Sequence, residues 1–152
     1  MEQSFETIDD ILDFAIASEQ EAVDFYNELA ESSTTEDMKK VFAQFAREEI
    51  GHKTRLTKVK KEGAYHMATS QVRDLKISDY LVEVKASAKM TYEEALIVAM
   101  KREKSAFKLY LNLAEKAPNK QMQELFHGLA QEESKHKLRF ELEYDEYVLR
   151  EN

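Results

Sequence analysis

The chain has 152 residues, a formal net charge of -8, three glycines, one proline and no cysteine. That length suits a single domain burying about two-thirds of its unfolded surface. Scarce glycine and proline speak against an all-β fold, the acidic charge against a nucleic-acid or anionic-membrane partner, and the lack of cysteine against disulfides, thiol catalysis and cysteine-ligated metals.

The opening segment MEQSFETIDDILDF is acidic and lacks the basic and apolar parts of a signal peptide, so a cytoplasmic location is expected. No apolar run approaches the roughly 20 residues needed to span a bilayer. Thr7 with Asp10 has the pattern of a capping box and predicts a helix start. Ile8, Leu12, Ala15, Glu19, Ala22, Tyr26 and Leu29 then follow in alternating steps of four and three, the mark of a bundle-facing seam. Ser32–Thr35 breaks that pattern and offers new caps. A second seam runs through Met38, Phe42, Phe45, Glu49, His52, Leu56 and Val59, and Gly63 is the expected stop. Residues 63–90 form a less regular crossover, in which LKISDYLVEV predicts a short helix starting near Ser78 or Asp79. Thr91 with Glu94 opens a third seam of Tyr92, Leu96, Ala99, Glu103, Ala106, Tyr110 and Leu113. Pro118 marks the start of a fourth, through Met122, Phe126, Leu129, Glu133, His136 and Phe140.

The two halves match at a constant offset of 84 residues, as from Glu19 to Glu103. Thr7 maps to Thr91, Leu12 to Leu96, Tyr26 to Tyr110, Met38 to Met122, Phe42 to Phe126, Glu49 to Glu133 and His52 to His136. The expected fold is therefore an all-α four-helix bundle made of two duplicated helical hairpins, 7–62 and 91–149, joined by the long crossover.

Six polar residues occupy seam positions otherwise held by apolar side chains. An unpaired buried carboxylate costs several kcal/mol, and four together repel one another. Two divalent cations bring four positive charges and are the simplest neutralising arrangement. Residues three apart share a helix face, so Glu49 with His52, and Glu133 with His136, can approach one cation pair. Glu19 and Glu103 supply a carboxylate from each remaining helix. Tyr26 and Tyr110, two turns further along, are placed to hydrogen-bond a ligand carboxylate on a neighbouring helix. A lone Glu-x-x-His is a weak signal; two copies in register with two of Glu-x6-Tyr are a strong one. Glu48 and Glu132 fall outside the seams and are expected to be solvated. His66 and His127 lack repeat partners and read as surface or packing residues. Met67, Met90 and Met100 read as gap-fillers rather than haem ligands. Gly51 and Gly128 interrupt helices at a cost of about 1 kcal/mol each; at Gly51, close approach beside the site and tight helix packing are equally good reasons.

This ligand pattern resembles the ferritin-like di-iron carboxylate bundles, and within them the rubrerythrin-like branch lacking a rubredoxin domain, from about Thr7 to about Phe140. The resemblance implies that Glu49 and Glu133 bridge two iron ions, with manganese or zinc as possible substitutes. It pairs Glu19 with His52 on one ion and Glu103 with His136 on the other. It implies an oxidoreductase acting on peroxide or O2 in oxidative-stress defence, a homodimer, and electrons from a separate donor protein. Two departures matter. Ile50 stands where bacterioferritin places its haem-ligand methionine, so no haem is expected. Met100 and Ala106 flank Glu103 where rubrerythrin carries an exchanging glutamate, which speaks against ligand switching. Ferroxidation with iron storage or delivery, and a helical interaction module with a structural metal site, are the alternatives.

Overall fold

The computed structural model describes residues 5–82 and 90–151. It contains α1 (Ile8–Ser32), α2 (Glu36–Glu62), a short α3 (Thr69–Asp74), a 3-10 turn at Ile77–Asp79, α4 (Tyr92–Glu115) and α5 (Lys120–Glu151). Each long helix starts where a short polar side chain satisfies an otherwise orphaned backbone N–H. Thr7 Oγ1 accepts from the Asp10 amide at 3.1 Å while Asp10 accepts from the Thr7 amide at 3.1 Å. Thr91 and Glu94 repeat this box at the head of α4. Thr35 caps α2, and Asn119 Oδ1 accepts from the Met122 amide at 2.9 Å, so α5 opens just after Pro118 rather than on it. Gly63 ends α2 in the left-handed region, with φ of 61°, a conformation that costs glycine nothing.

α1 packs along α2 and α4 along α5, while α1 and α4 touch sparsely. Two apolar clusters fill the bundle. One contains Leu12, Leu56, Leu109, Leu113, Phe126 and Leu129; the other contains Leu29, Met38, Phe42, Ala46, Leu96 and Phe140. The layer between them holds the seam glutamates and histidines, so the sequence's polar interruption becomes a polar layer across the middle of the core.

The crossover differs from expectation. Its α-helix lies earlier, at Thr69–Asp74, and the LKISDYLVEV stretch supplies only the 3-10 turn; its Glu83 and Val84 lie outside the described residues. Isolated short helices are marginal without packing, and here Val72 and Leu75, together with Tyr65 and Tyr80, anchor the segment on the first apolar cluster.

Candidate metal centre

Glu19 comes from α1, Glu49 and His52 from α2, Glu103 from α4, and Glu133 and His136 from α5, and none is more than 2% exposed. Their ligand atoms form two overlapping groups, each with all atoms within 4.8 Å of one another: Glu19, Glu49, His52 and Glu133, and Glu49, Glu103, Glu133 and His136. The i, i+3 spacing places each histidine over the glutamate of its own helix. His52 Nδ1 lies 3.6 Å from Glu19 and from Glu49, and 3.0 Å from Glu133. His136 Nδ1 lies 2.9 Å from Glu49 and 3.5 Å from Glu103. All six expected residues are thus brought together.

The two tyrosines sit where the sequence places them. Tyr26 donates its hydroxyl to Glu103 and Tyr110 to Glu19, each crossing between α1 and α4. These bonds orient the carboxylates and leave Glu19 Oε2 and Glu103 Oε2 without a hydrogen-bond partner.

Glu48 and Glu132 correct the sequence reading. They are partly covered, not solvated, and each reaches across from one hairpin to the other. Glu132 bonds Nε2 of His52, and Glu48 bonds Nε2 of His136 at 2.9 Å. A carboxylate on Nε2 fixes the tautomer and aims Nδ1 into the cluster. The helical wheel puts these residues outside the seam. Their signal was the repeat itself, since Glu48 and Glu132 match at the same offset beside Glu49 and Glu133. His66 and His127 are exposed, as expected, and Met67, Met90 and Met100 pack against the core. Neither reason offered for Gly51 holds: a Cβ at Gly51 or Gly128 would meet nothing within 4 Å.

The electrostatics are those of crowded buried carboxylates. Burial, and then the Glu49 charge, pushes Glu19 and Glu103 above the ordinary carboxylate range. Burial, and then the Glu103 charge, does the same to Glu133. Burial also acts to raise Glu49, but the polar groups of Glu19, His136 and His52 crowded around it override it and hold Glu49 low. Burial pulls the histidines down, yet the surrounding carboxylates win: Glu19 and Glu49 bring His52 to about 11, and Glu103 and Glu49 bring His136 to about 10. Seven ligand-type atoms, including both Nδ1 atoms and both oxygens of Glu49, lie buried without a hydrogen-bond partner. Such atoms are rarely left orphaned in a packed core. Oxygen and imidazole donors in this number suit iron, manganese or zinc.

One side of the layer is open. A cleft of about 530 Å³ between α1 and α4 reaches Glu19, Glu49, Glu103 and Glu133. Its walls include Ala15, Ala22, Phe25, Ala106 and Leu109, and Ala22 and Ala106 lie one turn beyond Glu19 and Glu103. At its rim Arg102 pairs with Glu21 at 3.2 Å and lies over the Phe25 ring.

The rubrerythrin family model matches residues 10–144. The chain belongs to the rubrerythrin family. A Thermotoga maritima protein described as a ferritin-like diiron-carboxylate protein superposes with a TM-score of 0.77 at 24% identity, over 95% of this chain and 99% of its own. A hypothetical protein from Pyrococcus furiosus superposes with a TM-score of 0.70 at 26% identity, over 88% of this chain and 85% of its own. No curated protein matches. Family and fold together make the bundle ferritin-like, with a buried Glu/His cluster compatible with metal. No helix among the described residues is long and apolar enough to cross a membrane.

Proposed function

We propose that this chain holds two iron ions and acts as an oxidoreductase on peroxide or O2. The observation that carries the reading is the pair of overlapping ligand groups sharing Glu49 and Glu133 beside an open cleft. In this reading Glu49 and Glu133, common to both groups, would help to hold both ions, with Glu19 and His52 at one and Glu103 and His136 at the other. Bound iron would supply the electrons for reducing an O–O bond. The chain's own residues do the rest. Glu48 and Glu132 hold the histidines in the Nδ1-binding tautomer, and Tyr26 and Tyr110 hold the terminal carboxylates. The apolar clusters on either side keep bulk water from the layer, while the α1/α4 cleft admits a small oxidant. Electrons would return from a separate donor protein.

Anaerobic Fe(II) loading, followed by separate additions of H2O2 and O2 while ferric absorbance is recorded, tests this. The expected result is saturation at two irons per chain and faster oxidation by H2O2. A preference for O2 with mineral formation would replace the reading by ferroxidation, and no reaction with either oxidant would leave a structural site.

A further inference from the structure

The outer face of α5 carries a second seam. Gln131, Lys135, Leu138, Leu142, Asp145 and Leu149 follow in steps of four, three, four, three and four. They lie two residues on from the buried Leu129, Glu133, His136, Phe140 and Glu143, about 200° round the helix, and so point away from the core. All six are exposed, with Leu138, Leu142 and Leu149 at 57, 46 and 76%. Among the described residues the other large apolar side chains this exposed are Ile50 and Leu81, which stand on other elements.

Single surface leucines are ordinary, but three on one heptad stripe are not. The internal repeat does not account for them. At the offset of 84, Leu138 and Leu142 match Thr54 and Lys58, both exposed on α2, and Leu149 matches Tyr65, beyond the end of α2. One hairpin of the bundle thus closes with a polar outer face, and packing within the chain does not require the leucines of the other. The charges on the stripe are also uncommitted. Lys135 and Asp145 stand on either side of the leucine pair, are exposed, and make no ion pair or hydrogen bond with the described residues.

The heptad phase fixes how such a stripe can meet its own copy. Lys135, Leu142 and Leu149 occupy positions of type a, and Gln131, Leu138 and Asp145 positions of type d. In an antiparallel pair each a layer faces a d layer of the other helix. With the two-fold axis level with Phe140, Leu138 faces Leu142, Lys135 faces Asp145 and Gln131 covers Leu149, each in both directions. Moving the register by one heptad either way sets a leucine against Asp145 or Lys135. Only the first register is apolar on apolar and positive on negative. Beside the axis, Arg139 bonds Met38 Sδ of its own chain at 3.4 Å and Glu141 takes Lys137 of its own helix, so neither is aimed at its image.

We propose that the outer face of α5 is an interface between two copies of this chain, packed antiparallel about a two-fold axis level with Phe140. An isologous contact of this kind closes as a dimer and leaves no edge for further growth. It involves none of the six cluster residues, so it stands or falls apart from the metal reading. One helix face is smaller than the interface of a standard stable complex, so the expected dissociation constant is on the order of 10 µM.

The test is sedimentation equilibrium of the full chain, metal-free and Fe(II)-loaded, at concentrations up to about 500 µM. A monomer–dimer equilibrium is expected in both forms. Leu138→Lys should leave only monomer, with the far-UV circular dichroism of the wild type because the side chain is already exposed. Lys135→Asp and Asp145→Lys should each weaken the dimer by about tenfold, and the two together should restore it. Since the chain has no cysteine, an equimolar mixture of Leu138→Cys and Leu142→Cys chains should form a disulfide faster than either variant alone. A wild type that stays monomeric throughout would overturn the proposal. So would a dimer unaffected by Leu138→Lys, which would use another face, or a double charge swap that fails to restore association, which would remove the register.

Discussion

The two faces of the polar layer are built for different tasks. The α2/α5 face is closed: both histidines lie there, Glu48 and Glu132 lock them from opposite hairpins, and Phe45 stacks on His136 at 4.0 Å. The α1/α4 face is open: two alanines stand where larger side chains would fill the gap, and the main polar ties across it are the Tyr26–Glu103 and Tyr110–Glu19 bonds and the rim pair Arg102–Glu21. Duplication gave both hairpins the same helices, yet their two interfaces differ because each pairs like with like, α2 against α5 and α1 against α4. The interface with Glu-x-x-His on both sides becomes the ligand-rich wall, and the one with a single glutamate per helix becomes the approach.

The largest effect is expected where the faces meet. Glu49→Ala or Glu133→Ala removes a residue common to both ligand groups and should take elemental iron from two ions per chain to none, whereas His52→Ala or His136→Ala should leave one. Retention of two irons in Glu49→Ala would end the shared role.

The next effect is on pH. Below about 10 the metal-free cluster holds protons on His52 and His136, and the raised Glu19, Glu103 and Glu133 hold theirs above the usual range. Iron must displace them, so loading should release protons and apparent affinity should rise with pH, as pH-stat titration would read. The sign for stability follows from the same shifts. Histidines whose folded pKa is raised stabilise fully below their unfolded value and lose that contribution as pH climbs through 10 to 11. Raised carboxylates act in the same direction. Metal-free melting temperature should therefore fall between pH 7 and 11, and a flat profile would contradict the crowding of the layer.

On the closed face, Glu48→Ala or Glu132→Ala should weaken iron binding about 10- to 100-fold without changing stoichiometry, as measured by chelator competition. On the open face, Ala22→Leu or Ala106→Leu should slow oxidation by H2O2 by about tenfold, equivalent to about 1.4 kcal/mol on the barrier, with stoichiometry kept. If both pairs produce the same phenotype, the distinction between wall and approach fails. The smallest effect lies outside the cluster. Gly51→Ala and Gly128→Ala should each stabilise by about 1 kcal/mol, raising the melting temperature by roughly 2–4 °C, because the added methyl meets nothing and the helix gains propensity.

Much of the centre was legible because a seam is a one-dimensional pattern. Glu19, Glu49, His52, Glu103, Glu133 and His136 interrupt apolar steps of four and three, and the repeat doubles every interruption. Tyr26 and Tyr110 were legible for the same reason. Glu48 and Glu132 were not, because their role depends on which helix stands beside them; a wheel drawn for one helix assigns them to solvent. The helix at Thr69–Asp74 was missed because Val72 and Leu75 form it by packing rather than by propensity, and Gly51 was misread because free space beside a helix is invisible in its sequence.

The sequence by itself determined the helices, their caps, the duplication and the burial of six metal-type ligands, since all of these follow from local periodicity and short-range hydrogen bonds. Only the tertiary structure decided which face of the layer is closed and which is open, and how Glu48 and Glu132 cross between hairpins. Those features depend on which side chains of different helices share one small volume, and neither helical periodicity nor the repeat offset fixes that distance.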